Sequence, residues 1–205
     1  FVLPLGEEEP SQQLQIELSG LNAGSVGQKI SAPTPEAMTL SDEHLERIPR
    51  ILPALGRLTT IEKPSDFQTM LLASLLLYTR NSLHSDVVDR LIAVLVSLES
   101  MLLRDHSEPI QSSLAQRLAV LTKEGVAERA DLIRAVRRCY DIRSKFLHHG
   151  LRKTEDQAAV ELVLEATWHF FWDCVSHHER IKSISDFHSK IDASLLGGHR
   201  VNLAH

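Results

Sequence analysis

Residues 139–150 read Cys-Tyr-Asp-Ile-Arg-Ser-Lys-Phe-Leu-His-His-Gly, and two of them can do chemistry together. Arg143 carries a permanent charge that offsets negative charge on a phosphate, and His148 can move a proton near neutral pH. A cation and a proton donor are the tools for cleaving RNA without a metal: the 2′-OH attacks phosphorus while the donor assists the departing 5′-oxygen. On an ideal helix, five residues place these side chains about 140° apart with an axial rise of about 7.5 Å. They do not share a face unless the helix loosens before Gly150. Long side chains can still converge on one phosphate, and pairs from two chains can meet across the axis of a symmetric dimer. The helix C-terminus favours the imidazolium form of His148, which suits an acid better than a base.

Positive charge is concentrated around this pair. Arg134, Arg137, Arg138, Arg143 and Lys145 precede Gly150, Arg152 and Lys153 follow it, and Asp141 is the only acid between 132 and 153. In a chain of net charge −5 such a run is a footprint for phosphate. The competing reading is a solvated face paired with acids of a neighbouring helix. Glu99 stands within an apolar segment, where a carboxylate needs a partner. It is expected to pair with Arg143 or another arginine of the same helix, the alternative being that it points to solvent.

The elements that must position these residues are helical. Ser41 with Asp42 suits an N-cap, and Glu43 and Glu46 suit a first turn. Pro49 and Pro53 are expected to kink or break the helix beyond that turn. Pro64-Ser65-Asp66 opens a helix over Phe67–Asn81. Ser85–Asp86 opens another to about Leu103, apolar nearly all round and therefore central. Ser107 or Ser112 starts a shorter helix to Leu121, and Gly125 breaks the chain. Ala127–His149 forms a long helix stopped by Gly150 as a left-handed residue. Thr154 and Glu155 lead into a helix over Asp156–Lys182, and Ser185–Leu196 makes the last, closed by Gly197-Gly198. The sum is an all-α, up-and-down bundle of six to seven helices over residues 41–205. Residues 1–40 hold four of the eight prolines and the acidic run Glu7–Glu9, and read as an irregular arm or the tail of a preceding domain. Gln13–Leu18 alternates as one short strand would.

The string Tyr140-Asp141-Ile142-Arg143-Ser144-Lys145-Phe146-Leu147-His148-His149-Gly150 resembles the signature of the HEPN superfamily. It is most similar to the ApeA-like branch, with an extra His between the motif His and the Gly. Upstream, Asp89–Leu103 is similar to the family's helix ending in A-L-E-x-L-L, with Ser97 in place of Ala. The likeness covers about residues 65–197. It implies an all-α bundle that forms a homodimer, with the Arg-x4–6-His motif in a cleft at the dimer interface. It also implies metal-independent RNA cleavage in a defence or stress system, with His148 transferring the proton and Arg143 stabilising the phosphorane. Ser144 would join them as the polar residue after the Arg, where active members often carry Asn, Asp or His. Arg138, Lys145 and His149 would hold substrate, and Glu99 and Tyr140 would support the site. Many members are instead non-catalytic modules that bind a nucleotide or a protein, and that alternative stays open.

Nothing else in the chain competes with this site. Adjacent histidines point about 100° apart, so His169 and His177-His178-Glu179 make a poor metal set, and no Cys/His cluster or H-E-x-x-H is present. No metal and no cofactor are expected. Trp168, Phe170, Phe171 and Trp172 read as core or dimer interface rather than a base-stacking platform, because basic residues are not interleaved. Cys139 and Cys174 read as buried reduced thiols of a cytoplasmic protein. The longest apolar runs, such as Met70–Leu77, are too short to span a bilayer. No P-loop, G-x-S-x-G or G-x-G-x-x-G motif occurs.

Overall fold

A computed structural model describes residues 42–82, 86–105, 107–151 and 156–203, with the backbone alone for 42–50 and 81–82. The expected N-terminal arm, its strand over Gln13–Leu18, and Ser41, Ser85, Arg152, Lys153, Thr154 and Glu155 lie outside the described residues. Among those described, all regular structure is helical. The order is α1 (Asp42–Thr60), α2 (Asp66–Ser82), α3 (Val87–Leu102), α4 (Ile110–Thr122), α5 (Val126–His149), α6 (Gln157–His177), a 3-10 turn (His178–Arg180) and α7 (Ile184–Gly197). No described helix is long and apolar enough to cross a membrane.

Caps set most of the boundaries. At α2, Ser65 Oγ accepts the Gln68 amide at 3.2 Å while Gln68 Oε1 accepts the Ser65 amide at 2.9 Å, a reciprocal box that satisfies two free donors. Asp86 accepts from the amides of Val88 and Asp89 at 2.8 and 3.1 Å to open α3. Glu128 accepts the Gly125 amide at 3.0 Å to open α5. At the other end Gly150 takes φ 65° and its amide bonds the Phe146 carbonyl. That left-handed turn is why α5 stops beside His149.

Three expectations are corrected. The helix expected to break at Pro49 and Pro53 runs unbroken through both. The two prolines are four apart, so the amide that Pro53 lacks would have served the Pro49 carbonyl. Pro53 lies on the exposed side, while Ala54 and Leu58 on the opposite side are buried and hold α1 in place. Second, α4 starts at Ile110, with Pro109 rather than Ser107 or Ser112 before it. Third, the helix expected to reach Lys182 ends at His177. There the chain tightens so that His178 turns inward, its Nε2 3.2 Å from the Ala54 carbonyl and its Nδ1 3.3 Å from Gln68 Nε2. Both contacts are satisfied by one neutral tautomer with the proton on Nε2. Burial lowers the pKa of this ring, in keeping with the neutral form.

The helix α3 packs against α2, α4, α5 and α6. Leu91, Leu95, Leu98 and Leu102 on it are fully buried. Each such leucine contributes about 1.5–3 kcal/mol of transfer free energy, so α3 is a fixed rail for whatever it carries. Ser97, where the resembling helix has Ala, is also buried, and its hydroxyl donates to the Val94 carbonyl at 2.7 Å. By contrast, the buried residues of α5, Leu132, Ala135, Val136 and Cys139, all precede residue 140. The last turns of α5 therefore leave the core and present their side chains at the surface.

Candidate functional site

Where α5 leaves the core, it passes Glu99 on α3. The Glu99 Oε1 atom accepts from the Tyr140 hydroxyl at 2.8 Å and from Arg143 NH1, closing the ion pair expected from the sequence. The pair is mostly shielded, with side-chain exposures of 24% for Arg143 and 19% for Glu99. The guanidinium also lies 5.7 Å from the centre of the Tyr140 ring, close enough for a cation–π contact. Burial first, and then the bond to Glu99, push the Tyr140 phenol well above its ordinary pKa, so it remains a donor. Arg143 is thus fixed from two sides before any ligand arrives.

A cleft of about 320 Å³ opens over this group, lined by Glu99, Tyr140, Arg143, Ser144, Leu147 and His148 from α3 and α5, and by Ile110 and Gln111 from α4. The helix does not loosen before Gly150, and Arg143 and His148 nonetheless line the same cleft. Ile110 and Gln111 were not expected. They stand more than thirty residues before His148, and no local pattern in the sequence marks them. Gln111 is held there by donating to the Arg137 carbonyl at 3.2 Å.

The single site expected for all the motif residues is divided. Arg138, Lys145 and His149 line a second cleft, about 630 Å³, together with Asp141, Ile142, Leu151 and Asp156. Spacing explains the division. Residues 138, 142, 145 and 149 follow one helical stripe, whereas 140, 143, 144 and 147 follow another, roughly 180° away at 100° per residue. Arg138 is bonded to Asp156 at 2.6 Å and Arg134 to Asp131. The solvated, paired face weighed against a phosphate footprint is therefore present for part of the basic run. Arg137 and Lys145 make no ion pair among the described residues.

The histidines set aside as metal ligands occupy separate places. His178 is in the core, His169 faces Glu165 at 3.7 Å, and His177 lines a different cleft with Glu124, Asp173 and Arg200. No group of three or more His, Cys, Asp or Glu side chains among the described residues is placed to hold a metal ion. Phe170 and Phe171 are core residues, while Trp168 is exposed beside Trp172, ring centres 5.8 Å apart. Both cysteines are free and buried. Desolvation raises the Cys139 thiol to about 12 and pushes Cys174 well above its ordinary value.

The sequence did not reveal a buried ionic group at the C-terminal end of α3. Arg117 is 7% exposed and holds Glu108 through two bonds of 2.7 and 2.9 Å, while its NH1 also donates to the Leu102 carbonyl. This clamp fixes the α3–α4 connection, and so sets where Ile110 and Gln111 stand in the cleft wall. The only signal in the sequence was a lone arginine among Leu114, Ala115 and Leu118.

In comparisons with known proteins, the chain matches no family model, no curated protein and no solved structure.

Proposed function

We propose that this chain is an RNA-directed module of the HEPN type, similar to the ApeA-like branch, that cleaves RNA without a metal in a defence or stress system. The observation that carries the reading is one cleft lined by Arg143, Ser144 and His148, with Arg143 held in place by Glu99 and Tyr140. In this reading the Arg143 guanidinium offsets charge on the phosphorane, His148 protonates the leaving 5′-oxygen, and Ser144 donates to a phosphate oxygen. Arg138, Lys145 and His149 would meet the RNA only where it wraps to the other side of α5. The two free, buried cysteines agree with a reducing, cytoplasmic setting.

A second reading is a non-catalytic homodimer that binds a nucleotide or a protein. It is favoured by the apolar surface beside the cleft. Leu147 is 59% exposed and also lines a groove of about 500 Å³ with Leu77, Ile92, Ala93, Val96 and Phe146. One set of measurements separates the two readings: incubation of the purified protein with varied RNAs in EDTA, alongside its oligomeric state in solution. Cleavage lost in His148→Ala supports the nuclease. Cleavage indifferent to His148→Ala refutes the active-site assignment, and a dimer that binds nucleotides without cleaving RNA favours the second reading.

A further inference from the structure

Cleavage by 2′-OH attack needs a base as well as an acid, and the motif supplies only the acid. We propose that Glu99 is the general base of this cleft, an inference that rests on the nuclease reading above. Glu99 lines the cleft with Arg143, Ser144 and His148. The bonds it accepts from Tyr140 and from Arg143 both end on Oε1. Among the described residues Oε2 accepts no hydrogen bond, so this cleft-lining residue keeps one carboxylate oxygen uncommitted. Glu99 rides on α3 and His148 on the last turn of α5, so base and acid approach the cleft from different helices. About 7.5 Å of axial rise separates Arg143 from His148, which leaves room for a phosphate between the guanidinium and the imidazole.

The step balances within these residues. Glu99 Oε2 takes the proton from the 2′-OH, the 2′-oxygen forms a bond to phosphorus, the bond from phosphorus to the 5′-oxygen breaks, and the His148 imidazolium gives its proton to that oxygen. The products are a 2′,3′-cyclic phosphate and a 5′-hydroxyl end. Proton exchange with water restores both side chains.

The ion pair gives this transfer an electrostatic benefit. Before reaction the Arg143 charge is shared between Glu99 and the phosphate. Once Glu99 is protonated its charge is gone, at the moment when the phosphorane gains one. The guanidinium then serves the phosphorane alone without moving, which is stabilisation realised in the transition state rather than the ground state. Tyr140 is a positioning residue here, since its hydroxyl holds Oε1 and so fixes the carboxylate.

The test compares the wild-type protein with Glu99→Gln and His148→Ala. Two substrates are used: an RNA oligonucleotide, and a set of ribonucleoside 3′-(4-nitrophenyl phosphates) covering each base. Glutamine keeps an oxygen for Tyr140 and Arg143 but cannot take a proton. Glu99→Gln should lower kcat/KM by at least about 100-fold on both substrates and remove the acid limb of the pH profile, while RNA affinity changes little. His148→Ala should be severe on RNA and mild on the nitrophenyl esters, whose leaving group needs no proton. If Glu99→Gln keeps near-normal activity or the acid limb while His148→Ala is inactive on RNA, the base assignment is overturned and the nuclease reading survives. If Glu99→Gln is rescued on the nitrophenyl esters as His148→Ala is, Glu99 is not the base. A wild-type protein that cleaves neither substrate overturns both readings.

Discussion

Replacing Glu108 by alanine removes one partner of the Arg117 clamp and leaves the other buried. Side-chain exposures in this pair are 9% for Arg117 and 16% for Glu108, so neither charge is well solvated. Breaking such a pair from one side costs about 3–5 kcal/mol, because the remaining charge keeps its desolvation penalty without its compensation. Arg117 retains the Leu102 carbonyl and the site has a little water access, which puts the cost near the lower bound, about 3 kcal/mol. For a domain of this size that corresponds to a melting temperature lower by about 6–12 °C. The double variant Glu108→Leu/Arg117→Met removes both charges and leaves chiefly the Leu102 carbonyl unserved, costing about 1–2 kcal/mol. Urea unfolding of the wild type and both variants measures the difference. The Arg117 bond also holds the Glu108 carboxyl below its ordinary pKa. The pair's contribution is therefore complete above the ordinary glutamate range and is lost as pH falls through the lowered value, so the gap between wild type and Glu108→Ala should narrow in acid. A cost under about 1 kcal/mol for Glu108→Ala, or a double variant as unstable as the single, refutes the reasoning that the clamp is a buried, coupled pair.

His188 is buried, its Nδ1 has no hydrogen-bond partner among the described residues, and desolvation, with Arg117 and Arg104 nearby, lowers its pKa from 6.5 to about 4. Above the unfolded value both states are neutral. As pH falls, the unfolded chain binds the proton first, so stability should drop by up to about 3 kcal/mol and level off below the folded value, and His188→Gln should flatten that part of a pH series of urea melts. Gly150 sits at φ 65° with open space where a Cβ would stand, so Gly150→Ala should cost about 1 kcal/mol from backbone strain alone, read as a small drop in thermal midpoint by circular dichroism. Cys139 and Cys174 should resist iodoacetamide in the native protein and react on unfolding, which mass spectrometry can follow; fast native labelling would contradict their burial.

The helices were legible because their signals are local: Pro64-Ser65-Asp66, Asp86, Gly125 and Gly150 all mark boundaries through chemistry within a turn. Where tertiary contacts decide, the sequence was a poorer guide. His178 ends α6 because Ala54 and Gln68 await it, and neither lies nearby in the chain. Pro53 is tolerated because it falls on the exposed side of α1, which the spacing of prolines alone does not reveal. The pairing of Glu99 was readable from a carboxylate on an apolar helix. The division of the basic residues between two clefts was readable as well, since residues 138, 145 and 149 follow a stripe that residues 140, 143 and 147 do not. Grouping them as one site weighted charge over helical phase. Ile110 and Gln111 had no such signal, because only the folded α3–α4 connection brings them to the cleft.

The two halves of the cleft differ in how firmly they are held. Glu99 is borne by α3, half of whose residues are buried, whereas His148 occupies the terminal turn of α5, beyond that helix's last buried residue, Cys139. Amide protons around Glu99 should exchange only with global opening, and those around His148 through local fraying of far lower free energy. One side of the cleft is thus a rigid template with a fixed charge pattern. The other is an adjustable jaw that can swing its imidazole toward ligands of differing bulk without disturbing that template.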